Sequence, residues 1–157
     1  MKAVLIVIGK TDEKHITEGI NKYISRINKY IQFSIDIIPD LKNTKNINHL
    51  QQREKEGELI LKKIQNGDWI TLLDENGNTY SSVEFANWLN SKLITSYKRL
   101  VFIIGGPYGF SNKIYKICND KISLSKMTFS HQMVRLIFTE QLYRANTILK
   151  GEPYHHK

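Results

Sequence analysis

Apolar and polar residues follow two rhythms along this chain, and the switches between them mark out its elements. Residues 3–8 are an unbroken apolar run, as expected of a strand buried on both faces. Ile16, Ile20, Tyr23, Ile24, Ile27 and Ile31 then recur every three or four residues, which predicts one helical stripe. Residues 33–38 alternate and stop before Pro39, a second strand. Residues 47–65 read as a charged, exposed helix with a thin stripe of Leu50, Leu61 and Ile64, ended by Gly67. Residues 69–73 form the third strand, and Asp74-Glu75-Asn76-Gly77 reads as a turn whose Asn-Gly pair can take positive φ. Ser81 and Glu84 have capping-box spacing and open a helix with the stripe Val83, Ala86, Leu89 and Leu93. A fourth strand spans 100–104, Ser111 caps a short helix through Cys118, and 122–124 form a short last strand. A long final helix covers 131–149. Strand and helix alternate throughout, with no linker or repeat. The prediction is an α/β fold: one domain over residues 1–157, a parallel sheet with helices on both faces.

The final helix carries a second expectation. Met133, Val134, Leu136, Ile137, Phe138, Leu142, Tyr143, Ala145, Ile148 and Leu149 cover more of its circumference than one sheet face can bury. A second buried surface is implied, most simply a symmetric dimer.

Composition narrows the class. With 41% apolar and 24% charged residues the chain is an ordinary globular protein, which excludes a disordered one. Its net charge of +8 favours polyanion partners through counterion release, although the excess is spread along the chain with no polybasic tail. Cys118 is the only cysteine, which excludes an internal disulfide or a cysteine-rich metal site; beside Ile117 it reads as a small core residue. No metal-ligand spacing occurs, and the adjacent pair His155-His156 suits a single ion poorly, so no metal is expected. The first apolar run stops at Gly9-Lys10, too short for a secretory segment or a membrane span. A cytoplasmic protein without a membrane partner is the expectation.

Ligands of open parallel sheets collect at the carboxyl ends of the strands. Three such ends carry unusual loops: Leu72-Leu73-Asp74-Glu75-Asn76-Gly77, Gly105-Gly106-Pro107-Tyr108-Gly109, and Leu124-Ser125-Lys126-Met127-Thr128-Phe129. The glycines are not a dinucleotide fingerprint, which belongs on the first strand with an acidic residue about 20 positions on. No Gly-Lys-Ser/Thr follows them, so a Walker phosphate loop is excluded as well. Taken alone, the glycine loop is equally a turn required by backbone geometry, and Leu124, Met127 and Phe129 are equally plain core. Ser125, Lys126 and Thr128 are odd choices for a core and favour a site.

Read together, these segments carry a resemblance. Gly105-Gly106-x-x-Gly109, then Leu124 to Phe129 with His131-Gln132-Met133-x-Arg135, then Glu140-Gln141-Leu142-Tyr143-Arg144-Ala145, and last Gly151-Glu152-Pro153-Tyr154-His155, stand in one order. In that order and spacing the chain resembles the bacterial 23S rRNA pseudouridine N3-methyltransferases of the RlmH family, within the SPOUT superfamily. Gly9-Lys10 and Lys55-Glu56-Gly57-Glu58 extend the likeness over the whole chain. The resemblance implies a SPOUT-type α/β knot, with the last segment threaded into a C-terminal trefoil knot, and a homodimer. It also implies S-adenosylmethionine as methyl donor and a pseudouridine N3 of 23S rRNA, on assembled ribosomes, as acceptor.

On that resemblance, Leu72, Gly105, Leu124, Ser125, Lys126, Met127, Thr128 and Phe129 hold the cofactor, largely through main-chain groups that glycine leaves uncovered. Tyr154 and His155 match the family's terminal Pro-Tyr-His and are the candidates for catalysis or RNA positioning; a histidine accepts a proton readily near neutral pH. The plainer alternative is a frayed, solvated tail. His131, Arg135, Arg144 and Lys157 are candidate RNA ligands, although Arg135 and Arg144 are as well suited to pairing with carboxylates such as Glu140. Two positions depart from the family. His156 intervenes before Lys157 where Arg or Lys commonly follows the terminal histidine, which leaves open whether Lys157 takes over a phosphate contact; Ser130 replaces a usual Pro, and Pro and Ser both suit a helix start. Methyl transfer is an in-line displacement, in which alignment supplies about 7–11 kcal/mol and a general base about 10²–10⁴-fold. A non-catalytic RNA- or ribosome-binding module, supported by charge and by Tyr108 and Tyr154, and a methyltransferase of the same class acting on tRNA are the competing expectations.

Overall fold

A computed structural model of the chain describes residues 1–156. Five strands, β1 (Lys2–Ile8), β2 (Gln32–Ile38), β3 (Asp68–Thr79), β4 (Arg99–Ile104) and β5 (Asp120–Ser123), form one parallel sheet in the order β2-β1-β4-β3-β5. Parallel neighbours need crossovers, here supplied by α1 (Lys14–Ile27), α2 (His49–Leu61), α3 (Ser82–Leu93) and α4 (Asn112–Ile117). Helix α5 (His131–Leu149) follows β5.

Alternate side chains of each strand point to opposite faces, which splits the core in two. Ala3, Leu5, Val7, Leu100 and Phe102 meet Ile27 of α1, Phe85 and Leu89 of α3, and Phe138 and Leu142 of α5. Val4, Ile6, Val101 and Ile103 meet Ile60 of α2 and Ile114 of α4. Steps toward the β2 edge carry their helix on the first face, and steps toward the β5 edge carry it on the second. All four crossovers therefore share one hand, as right-twisted strands require. No helix among the described residues is long and apolar enough to cross a membrane.

The structure narrows one expectation and corrects three. Helix α5 lies between α1 and α3 on the sheet, with Leu136 filling the hollow that Gly19 leaves on α1. Phe138, Leu142 and Ala145 are thus buried within the chain, while Met133 is exposed and Val134, Leu136, Ile137, Tyr143, Ile148 and Leu149 are only partly covered. Helix α2 turns Glu56, Gly57 and Ile60 inward while Leu50 is 55% exposed. Its phase is set by Gly57, where an added methyl would collide with the Ser111 hydroxyl. Phe85 and Trp88 join Ala86 and Leu89 on the buried face of α3, and Val83 in its first turn points outward.

The third correction shapes the candidate site. Residues 74–77 are not a terminating turn: β3 runs on to Thr79, and Leu73 and Asn78 both pair with Ile122. The four residues between them bulge out of the ladder. Gly77 is required there for close approach and not for a left-handed φ; a Cβ would lie 2.6 Å from the Ile122 nitrogen and the Lys121 carbonyl carbon.

The capping box at α3 forms as the sequence predicts. Ser81 Oγ accepts from the Glu84 amide at 3.1 Å, and the Glu84 carboxylate accepts from the Ser81 amide at 2.6 Å. Ser81→Ala is expected to cost about 1 kcal/mol in urea denaturation. These hydrogen bonds hold the Glu84 carboxyl below its ordinary range. Its contribution is therefore present above the unfolded carboxylate range and fades as pH falls through the folded value, and Ser81→Ala should flatten that acid limb.

Candidate functional site

The carboxyl ends of β3, β4 and β5 and the first turn of α5 enclose a cavity of about 580 Å³. The bulge contributes Leu73, Asp74, Glu75 and Asn76; the glycine loop contributes Gly105 to Phe110; the third loop contributes Leu124, Ser125, Met127, Thr128 and Phe129. Tyr115 of α4 and His131 and Val134 of α5 close the remaining sides.

Each glycine of the second loop answers a different constraint. Gly109 adopts φ +79°, which L side chains avoid, and its amide closes the turn on the Gly106 carbonyl at 3.1 Å. A Cβ on Gly105 would sit 3.2 Å from the Gly109 oxygen and the Phe110 ring, across the mouth of the turn. One on Gly106 would collide with the Glu56 carboxylate, which stands directly behind the loop. Glu56 is buried, accepts a 2.9 Å hydrogen bond from Gln52, and is pushed above the usual carboxyl range chiefly by that burial. His49 stacks on Tyr108 with ring centroids 3.7 Å apart, a second brace from α2.

The other two loops are held by short polar contacts. Ser123 Oγ donates to the Ser125 carbonyl and Ser125 Oγ accepts from the Met127 amide, each at 2.9 Å. Ser130 then caps α5, accepting from the Met133 amide. In the bulge, Asp74 accepts from the Asn76 amide at 2.9 Å and from the Tyr115 hydroxyl at 2.5 Å. Burial and this carboxylate push the Tyr115 hydroxyl up to about 12, so it donates at any physiological pH. Tyr115→Phe frees the bulge and is expected to weaken binding of the cavity's ligand roughly three- to tenfold, measured by calorimetry.

Of the residues singled out from the sequence, the fold brings Gly105, Leu124, Ser125, Met127, Thr128 and Phe129 together on this cavity, with His131 at its rim. Burial and the nearby Arg135 charge pull the His131 imidazole below its ordinary value, which favours the neutral ring. The Leu72 side chain faces away into the α2 and α4 core, because strand alternation gives the cavity to Leu73 instead. Lys126 is exposed and does not line the cavity. Arg135 is buried, with its guanidinium bonded to the carbonyls of Ile8 and Gly9 and to Thr11. Gln132 beside it accepts from the Asp12 and Glu13 amides, so α5 clamps the β1–α1 loop. Arg144 pairs with Glu140 at 2.6 Å, the intrahelical partner its spacing allows.

Tyr154 and His155 pack against α5. Tyr154 donates to Glu140 at 3.0 Å and packs edge-on against Tyr143, and His155 Nδ1 lies 3.2 Å from Arg144. They do not line the cavity of their own chain. Thirteen residues separate Arg144 from His131 along α5, roughly 20 Å at 1.5 Å per residue. Lys157 lies outside the described residues. Sequence reasoning gave no role to Glu56, Phe110 or Tyr115. Capped helix α4 offered Tyr115 only as one face of a short helix, and nothing local placed α2 behind the glycines.

The "Predicted SPOUT methyltransferase" family model matches residues 1–155, nearly the whole chain. The chain belongs to the SPOUT methyltransferases. Two relatives within that family, both named ribosomal RNA large subunit methyltransferase H, match it over the full length of each protein. The protein of Phocaeicola vulgatus is 61% identical and that of Parabacteroides distasonis 59%. Among solved structures, "a probable methylase family protein from Haemophilus influenzae Rd KW20" superimposes with TM-score 0.50 at 11% identity. It covers 96% of this chain and 66% of that one, a likeness of fold alone.

Proposed function

We propose that this protein transfers a methyl group from S-adenosylmethionine to N3 of a pseudouridine in 23S ribosomal RNA, acting on ribosomes in the bacterial cytoplasm. The observation that carries the reading is the cavity of about 580 Å³, walled by three carboxyl-end loops, one of them rich in glycine. Its size suits a nucleoside amino acid. Leu124, Phe129 and Ile104 supply an apolar wall for a purine ring, and the glycine turn, closed by its own Gly109–Gly106 hydrogen bond, brings uncovered main chain to its edge. Asp74 and Glu75 put carboxylates beside a ligand that carries a sulfonium and an ammonium. When bound, the sulfonium supplies an electrophilic methyl carbon; the protein's part is to hold it in line with the acceptor nitrogen and exclude water.

The names of the full-length relatives support rRNA of the large subunit as substrate, and the +8 charge suits a polyanion. A knot is part of the same reading. The chain leaves the edge strand β5 and returns inward to α5, so 124–130 must cross the ends of β3 and β4 where the glycine loop stands. So is a homodimer. Tyr154 and His155 are bonded to Glu140 and Arg144, roughly 9 and 15 Å of helix rise from Val134 at the cavity wall, and do not line their own cavity; the tail of a second copy is what completes the site.

The test incubates the protein with radiolabelled S-adenosylmethionine and ribosomes from cells that lack it, followed by mass spectrometry of the 23S rRNA. Label on a pseudouridine N3 is the expected result. Label on bulk tRNA instead would move the substrate, and absence of binding heat with S-adenosylmethionine would leave a non-catalytic RNA-binding module.

A further inference from the structure

Arg144 is held on three sides. Its Nε and Nη2 donate to Glu140 Oε1 at 3.1 and 2.6 Å, its guanidinium lies 4.7 Å over the Tyr154 ring, and its Nη1 meets His155 Nδ1 at 3.2 Å. Tyr154 is fixed in turn by its hydrogen bond to the same Glu140 oxygen and by the Tyr143 ring. The guanidinium has five N–H donors and no acceptor, so in the Arg144–His155 contact the histidine nitrogen must accept. A neutral imidazole that accepts at Nδ1 carries its proton at Nε2. His155 is half-buried, and among the described residues no protein group meets its Nε2. The edge left for a substrate is therefore an N–H donor. That is the wrong polarity for the proton acceptor expected of His155 from the sequence.

We propose that Arg144 is a positioning residue that locks His155 in the Nε2-protonated tautomer, and that this N–H donates to a carbonyl oxygen flanking the nitrogen to be methylated. The proposal rests on the reading of that nitrogen as pseudouridine N3. N3 is an imide nitrogen between two carbonyls, so its ionisation spreads negative charge onto both oxygens. A donor fixed at one of them favours the anion over the neutral ring, the arrangement of an oxyanion hole. In the ionisation step the N3–H bond breaks, its electron pair stays on the imide, and the proton passes to solvent water. His155 keeps its own proton throughout. Glu140 acts through Arg144, compensating the guanidinium charge and aiming its third arm.

Two measurements on the full-length protein test this. In histidine-¹⁵N-labelled protein, His155 is expected to show an unprotonated Nδ1 and a protonated Nε2, and Arg144→Met should release it to a mixture of tautomers. In methyl transfer to ribosomes, His155→Gln places an amide N–H near the Nε2 position and should keep kcat within about tenfold of the parent. His155→Ala should lose about a hundredfold or more, the scale of removing one such donor. The ascending limb of the pH–rate profile should survive in His155→Gln, because it reports ionisation of the imide. A protonated Nδ1, a His155→Gln protein as inactive as His155→Ala, or loss of that limb would each overturn the proposal while leaving the methyltransferase reading intact. A parent protein that transfers no methyl to ribosomes would overturn that reading first, and the donor role with it.

Discussion

Gly105→Val is expected to lower the affinity for S-adenosylmethionine by about a hundredfold or more, close to 2.7 kcal/mol, while leaving the circular dichroism of the fold unchanged. Gly105 follows directly on β4, and its Cα faces the Gly109 carbonyl and the Phe110 ring across the turn. A single Cβ would already sit at 3.2 Å from both, tighter than ordinary contact, and valine adds two methyls with restricted χ1. The turn cannot retreat, because behind it Gly106 rests against Glu56. The methyls must then enter the cavity or push the turn into it. Gly105→Ala brings only the first of these contacts and should lose far less, a graded pair that separates volume from loss of flexibility. Titration calorimetry on the two variants checks it.

Gly77→Ala should lower both stability and ligand binding. Its Cβ would meet backbone at 2.6 Å on the facing strand, and backbone cannot rotate away as a side chain can. Overpacking of this kind costs about 1–3 kcal/mol. The strain falls on the β3–β5 ladder at Ile122, which both anchors the bulge and leads into the 124–129 loop. Two walls of the cavity thus move together, and binding should fall along with the urea midpoint. Were Gly77 needed for a left-handed turn, as the Asn-Gly pair suggests, Gly77→Asn would be tolerated; against the Ile122 amide it should fare worse than alanine.

That contrast shows where the sequence was legible and where it was not. Continuous apolar strands, the Ser81 and Ser111 caps and the 131–149 helix could all be read locally, because each depends on neighbours within a turn or two. The cavity was legible as three loops, since parallel strands place their carboxyl ends on one side of the sheet. What could not be read was what stands behind those loops. Glu56 sits 50 residues before Gly106 and reaches it only because α2 covers the second face. The wide apolar surface of α5 pointed to a partner chain; α1 and α3 take up Phe138, Leu142 and Ala145 and cover the rest only in part, a division that periodicity alone cannot make. Arg135 and Arg144 were candidate RNA ligands by charge. Burial committed the first to the carbonyls of Ile8 and Gly9, and Glu140 and His155 took the second. A charge in a sequence names a capacity, and only the packed structure shows what consumes it.

The most direct test of the account is a crystal structure of the protein with S-adenosylhomocysteine. The account predicts the nucleoside between the glycine loop and Leu124 to Phe129, bound through main-chain atoms, with the sulfur turned toward Asp74. Density for the ligand elsewhere on the protein, or a bound form in which the three loops have drawn apart, would contradict it.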